Sequence, residues 1–293
     1  MDNILEETKF IMNQYHIKAN KSLGQNFLIN QEVVETIVES SQIGKEDLVI
    51  EIGPGLGTLT KYLLEKAGKV ICIELDKKMI KILEDRFSLY SNFELLNQDV
   101  LKVDLRALIE REKQNQEIKN VKIVANLPYY ITTPIIMKLL EEELDLESIT
   151  VMVQKEVANR LIAIPGGKET GAITYSVYYY AQAQGILEVP KSSFIPEPEV
   201  TSKVIQLFIR KEPPVKGKNR EIMFRIIKCA FMQRRKTLLN ALVNTKVFKN
   251  KDQGTQVLET LGIEINSRAE NLTLEDYAKI TDLLFSIKNE PEG

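Results

Sequence analysis

Five short runs rich in Val and Ile recur through the first half of the chain: DLVIEIG (47–53), KVICIE (69–74), FELLNQD (93–99), VKIVAN (121–126) and SITVMVQ (148–154). Segments between them, such as Thr58 to Ala67 and Lys77 to Leu89, place apolar residues at helical spacing. Strands that alternate with helices pair in parallel, and strands apolar on both faces must be covered on both. The pattern therefore predicts an α/β fold with a parallel sheet between two helical layers. Two later runs, GILEVP (185–190) and SKVIQLFI (202–209), lack a clear intervening helix and are expected to add an antiparallel pair at one sheet edge.

The pattern changes after RKEPPVKGKNR, whose prolines, glycine and charges mark a linker. Beyond it REIMFRIIKCAFMQRRKTLLNALV, DQGTQVLETLG and TLEDYAKITDLLFSI read as helices, the last with Thr273 and Glu275–Asp276 at its N-terminus as a cap. The expected division is a larger domain over 1–210 and a small helical domain over 211–293.

Composition excludes several function classes. His16 is the only histidine of the 293 residues, which argues against a histidine-based triad or a multi-histidine metal site. Cys72 and Cys229 lie far apart in apolar surroundings and read as buried hydrophobes in a reducing compartment. The acidic, amphipathic start and the lack of a long apolar run point to a cytoplasmic protein with no membrane partner, expected to be a monomer without a metal. The net charge of −2 hides an asymmetry: Lys203 to Lys251 holds 14 Lys or Arg against Glu212 and Glu221, a local balance of +12. A basic block of this length suits a polyanionic partner.

VIEIGPGLGTLT follows the first strand of the alternating region. Gly53, Gly55 and Gly57 allow backbone to approach a ligand and open the next helix. A dinucleotide fingerprint would need glycine where Thr58 stands. Glu74, at the end of the second strand, is placed to accept both hydrogens of a ribose diol. Asp99, at the end of the third, could accept from an adenine amino group. A ribose acid and an adenine acid without the third dinucleotide glycine fit S-adenosylmethionine.

Asn126 ends the fourth strand beside the same crevice and opens Asn126-Leu127-Pro128-Tyr129. Asn and Pro also favour simple turns. As a site, the Asn126 side-chain oxygen and a nearby backbone carbonyl would accept the two hydrogens of an exocyclic amino group and direct its lone pair at a methyl donor. Pro128 fixes the turn, and Tyr129 offers a face for a base.

These motifs resemble those of the small-subunit ribosomal RNA adenine N6,N6-dimethyltransferases, the dimethyladenosine transferase family. KSLGQNFLIN, EIGPGLGTLT, IELD, QDVL, NLPYYITTP, MVQKEVANRL, SFIPEPEVTSKVIQL and AFMQRRKTLLNAL carry the resemblance over nearly the whole chain. It implies a Rossmann-like methyltransferase sheet with a small C-terminal helical domain, and dimethylation of two adjacent adenosines in a 3′-terminal hairpin loop of 16S ribosomal RNA during small-subunit biogenesis. It implies that Asn26 and Leu28 join Gly53, Gly55, Glu74, Asp99 and Asn126 around S-adenosylmethionine. It also implies that Asn126, Leu127, Pro128 and Tyr129 present the target adenine, with Phe194 as a second stacking partner. Arg234, Arg235 and Lys236 are expected to bind RNA. The chain has Tyr130 where family members often have asparagine. Three rival readings are a 23S methyltransferase of the macrolide-resistance type, a non-catalytic ribosome assembly factor, and a nicotinamide dehydrogenase, which Thr58 disfavours.

Overall fold

A computed structural model describes residues 4–20, 24–233 and 235–289. The chain divides into two compact units. The first runs through Ala158 and resumes over Ala183–Ile209; the second joins Asn159–Gln182 to the chain from Arg210 onward.

Among the described residues nine strands form in chain order: β1 (Phe27–Leu28), β2 (Asp47–Ile52), β3 (Lys69–Glu74), β4 (Phe93–Asn97), β5 (Asn120–Asn126), β6 (Ser148–Gln154), β7 (Ala181–Val189), β8 (Phe194–Ile195) and β9 (Ser202–Ile209). Seven of them make one sheet in the order β4-β3-β2-β5-β6-β9-β7. The five Val/Ile runs are its parallel strands, and β9 lies antiparallel to β6. The later runs thus do reach the edge, but β9 inserts between β6 and β7. Leu48, Val49 and Ile50 of β2 and Ile123 and Val124 of β5 are fully buried, as strands covered on both faces require.

The helices of this part are α1 (Ile4–Gln14), α2 (Gln31–Ser40), α3 (Thr58–Lys66), α4 (Lys77–Phe87), α5 (Leu105–Lys113) and α6 (Thr132–Glu141), with α7 (Lys155–Ile162) running past the unit boundary. Side-chain caps start several of them: Asn30 accepts from Val33 N–H, Asp76 from Lys78 N–H and Asp104 from Ala107 N–H. Gly57 caps α3 differently, with φ 81° in the left-handed region. A Cβ there would sit 2.4 Å from the Phe87 ring and 3.0 Å from Leu83, so only glycine lets α3 approach α4 this closely. The chain turns from β2 toward β3 and β4 on one side, and β5 and β6 lie on the other. That reversal opens a crevice at the strands' carboxyl ends.

The second unit holds α8 (Ala172–Tyr180), α9 (Arg220–Phe231), α10 (Leu238–Asn244), α11 (Lys251–Thr260) and α12 (Leu274–Asn289). Its core explains why residues 159–182 belong here although the sequence division put them in the larger domain. Tyr175 of α8 is fully buried against the rings of Phe231 and Tyr277, and its hydroxyl donates to the Leu272 carbonyl at 2.6 Å. Thr273 and Asp276 cap α12 reciprocally, through Thr273 N–H to Asp276 Oδ2 at 2.8 Å and Asp276 N–H to Thr273 Oγ1 at 3.2 Å. No helix among the described residues is long and apolar enough to cross a membrane.

Candidate active site

The crevice is lined by the ends of β2, β3 and β5, by the turn after β4 and by the segment 24–28. Gly53 and Gly55 take φ of 68° and 58°, the left-handed conformation that glycine adopts without strain. Gly53 N–H donates to the Ile73 carbonyl at 2.9 Å, which locks the turn to β3.

Glu74, the last residue of β3, is 8% exposed, and three backbone N–H groups fix its carboxylate. Leu75 and Asp76 donate to Oε1 at 2.7 and 2.8 Å, and Gly55 donates to Oε2 at 3.2 Å. A carboxylate accepts about four hydrogen bonds, so Oε2 keeps a free lone pair facing the cleft. Burial raises the Glu74 pKa, and the amide bonds from Asp76, Gly55 and Leu75 oppose that rise. Asp99 lies two residues beyond the end of β4 rather than at the strand end itself. Its Oδ1 caps a short 3-10 turn by accepting Leu101 N–H at 3.0 Å, and its Oδ2 lies 4.0 Å from Lys102 Nζ.

Asn126 ends β5 half-buried, and its Nδ2 donates to the Asn26 carbonyl at 3.3 Å. That bond commits the amide nitrogen to segment 24–28 and leaves Oδ1 as an acceptor. Asn26 is itself held by its Nδ2, which donates to the Gly24 carbonyl at 3.2 Å. The following residues form a tight turn in which the Pro128 carbonyl accepts Ile131 N–H at 3.2 Å and Thr132 Oγ1 at 3.1 Å. Leu127 is buried and its N–H donates to the Met152 carbonyl at 3.1 Å. Tyr129 lies half-buried at the cleft with its hydroxyl 2.6 Å from Ser202 Oγ, and burial raises its pKa.

The cleft gathers Asn26, Leu28, Gly53, Gly55, Glu74, Asp99 and Asn126 to Tyr129. Phe194 is not among its lining residues. It is 1% exposed in the hydrophobic core and pairs, through β8, with Leu28 of β1, so the ring has no face free for a base. In the second unit Arg235 and Lys236 are exposed in the turn after α9, and Arg234 lies outside the described residues. Arg225 and Lys228 are exposed on α9, beside Met232 at its end. Part of the basic block has other work: Arg210 donates to the carbonyls of Tyr178 and Ala181, and Lys216 pairs with Glu212. Cys229 is half-buried, and Cys72 is buried but donates to a carboxylate rather than sitting among apolar atoms only.

Several lining residues escaped sequence reasoning: Phe27, Leu75, Gln98, Val100, Ile135 and Glu51. Glu51 had a legible signal, an acid between two isoleucines in an apolar strand that carries one other acid, Asp47, at its start. The others are ordinary residues beside motif positions, and nothing in their identity marks them.

The sequence profile of the family "Ribosomal RNA adenine dimethylase" matches residues 16–285. The chain belongs to this family. Among relatives of this dimethylase, "Ribosomal RNA small subunit methyltransferase A" of Alkaliphilus metalliredigens is 48% identical over 283 residues, covering 96% of this chain and 98% of the relative. The protein of the same name from Lachnoclostridium phytofermentans is 46% identical over 281 residues, 95% of this chain and 96% of its own length. A dimethyladenosine transferase structure from Plasmodium falciparum superposes with a TM-score of 0.72 at 28% identity, covering 89% of this chain and 98% of that one. The 23S rRNA methyltransferase ErmE shares the fold, with a TM-score of 0.66 at 22% identity over 89% of this chain and all of its own. The dimethylase family is a methyltransferase family, and the carboxylates and glycine turn of the cleft suit a nucleoside cofactor: an oriented acid at the end of β3, a second acid after β4, and backbone free to approach between them.

Proposed function

We propose that this dimethylase transfers methyl groups from S-adenosylmethionine to the N6 amino group of adenines in small-subunit ribosomal RNA. The supporting observation is that one cleft brings the nucleoside-binding acids and the Asn126–Tyr129 turn together. Near-full-length identity to small-subunit methyltransferases favours that substrate over large-subunit RNA. The two adjacent adenosines of a 3′-terminal 16S hairpin loop, reached in a small-subunit precursor, are the finer target. The free thiols and the RNA substrate suit a cytoplasmic protein, acting as a monomer.

Bound in the cleft, S-adenosylmethionine supplies an electrophilic methyl on a sulfonium. Glu74 Oε2 accepts from the ribose, Asp99 Oδ2 accepts from the cofactor's adenine amino group, and Gly53, Gly55, Asn26 and Leu28 form the walls. An amino group on adenine is a poor nucleophile because its lone pair is delocalised into the ring. Asn126 Oδ1 and a backbone carbonyl accept its two hydrogens and favour a pyramidal nitrogen. The Pro128 carbonyl already accepts two bonds, so the Leu127 carbonyl takes this role. Tyr129, its hydroxyl tied to Ser202, stacks on the base, a contact of about 1–3 kcal/mol. A base in a single-stranded loop leaves its stack at a cost of only a few kcal/mol. Arg225, Lys228, Arg235 and Lys236 hold phosphates.

Asn126→Ala tests this reading. The variant is expected to keep its fold and RNA affinity while the single-turnover rate falls about 10²–10³-fold, the usual cost of losing an oriented polar contact; S-adenosylmethionine is held saturating because Asn126 also lines the cofactor cleft. A near-normal rate in the folded variant would reduce Asn126–Tyr129 to a turn.

A further inference from the structure

Glu51 has no part in the reading above, yet it lines the same cleft. It is 2% exposed and sits on β2 among fully buried Val49, Ile50 and Leu48. Two neutral donors hold its Oε2: Thr60 Oγ1 of α3 at 2.6 Å and Cys72 Sγ of β3 at 3.4 Å, both themselves fully buried. The charged group beside it is another carboxylate, Glu74 of β3. Among the described residues no cation forms an ion pair with Glu51. Burial pushes its pKa up, the Thr60 and Cys72 bonds pull it back, and Glu74 pushes it up again, to about 7.

We propose that Glu51 is the charge-balancing acid of the cofactor cleft: it holds a proton when the cleft is empty and releases it to solvent when cationic S-adenosylmethionine binds. The proposal rests on the cofactor reading above. Its balance is simple: the Glu51 carboxyl loses one proton to buffer, and the resulting carboxylate offsets the net positive charge that the sulfonium brings. S-adenosylhomocysteine, the product left after methyl transfer, lacks that charge and does not stabilise the carboxylate. Glu51 therefore favours the charged cofactor over its neutral product, and does so increasingly as pH rises through the range in which Glu51 would otherwise be protonated.

The test is titration calorimetry of the full chain with S-adenosylmethionine and with S-adenosylhomocysteine, each at pH 7 in two buffers of different ionisation enthalpy. Wild type is expected to release about half a proton with S-adenosylmethionine and clearly less with S-adenosylhomocysteine. Its affinity for S-adenosylmethionine should fall about tenfold from pH 8 to pH 6, the linkage expected of one acid titrating near 7 in the free protein alone. Glu51→Gln should lose that proton and that slope, and the count it retains belongs to other groups, Glu74 and the ligand's own amino group included. Thr60→Val removes a donor that stabilises the carboxylate, so it should move the proton release to higher pH rather than weaken binding uniformly. Equal proton counts in wild type and Glu51→Gln would overturn the proposal, as would equal release with the two ligands. If Glu51→Gln does not fold, the two-ligand comparison and Thr60→Val decide by the same criteria. A binding isotherm without buffer-dependent heat refutes Glu51's role alone. No isotherm at all refutes the cofactor reading and Glu51's role with it.

Discussion

Alanine at position 74 would remove the one acidic side chain that three backbone amides orient toward the cleft. Those amides border an open cleft, so water replaces the carboxylate oxygens and the cost to folding is small. The ribose loses a charged acceptor, a contact worth about 1.5–3 kcal/mol. Kd for S-adenosylmethionine should therefore rise roughly 10- to 150-fold. Because burial raises the Glu74 pKa above the ordinary glutamate range, the acceptor is fully charged only above that raised value. The difference between wild type and Glu74→Ala should be largest at pH 8 and shrink as acidification protonates the wild-type group. Calorimetry at pH 8, on protein whose circular dichroism and unfolding midpoint match wild type, measures it. A Kd within about twofold of wild type would take Glu74 out of the cofactor site.

Gly57→Ala should destabilise the protein by about 2–5 kcal/mol, combining a left-handed φ with a Cβ inside the Phe87 ring's contact distance; chemical denaturation reads it directly. Tyr129→Phe should lower methyl transfer mildly, since only the bond to Ser202 goes, whereas Tyr129→Ala should be severe; equal rates for the two would remove the stacking role. If Arg225, Lys228, Arg235 and Lys236 each hold a phosphate, log RNA affinity should fall with log salt at a slope of about −2.8, and reversing all four charges should flatten it without touching cofactor binding. An unchanged slope would return these residues to the role of a solvated face.

The parallel strands were legible because β2, β3, β5 and β6 are apolar on both faces, a pattern that few other structures accept. Insertion of β9 between β6 and β7 was not, since lateral order depends on long-range pairing rather than on either strand's own residues. Helix α8 was hidden for a different reason. ITYSVYYY is rich in β-branched and aromatic residues, whose local preference is for strands, and burial of Tyr175 among Phe231 and Tyr277 outweighs it. In the site, Glu74, Asp99 and Asn126 could be found because a polar residue at or just past the end of an apolar strand faces the crevice. Phe194 could not be separated from them, because a phenylalanine in a motif looks the same whether its ring faces a cleft or a core. Its strand pairing with Leu28 turns it into the core.

The central claim is most directly tested by supplying methyl-labelled S-adenosylmethionine with unmethylated small and large ribosomal subunits in parallel, then mapping the modified nucleotide by mass spectrometry. Label should appear as N6,N6-dimethyladenosine at two adjacent adenosines of the small-subunit RNA, and Asn126→Ala should leave that RNA unlabelled over the same interval. Label in large-subunit RNA, on an atom other than adenine N6, or undiminished in Asn126→Ala would contradict the account.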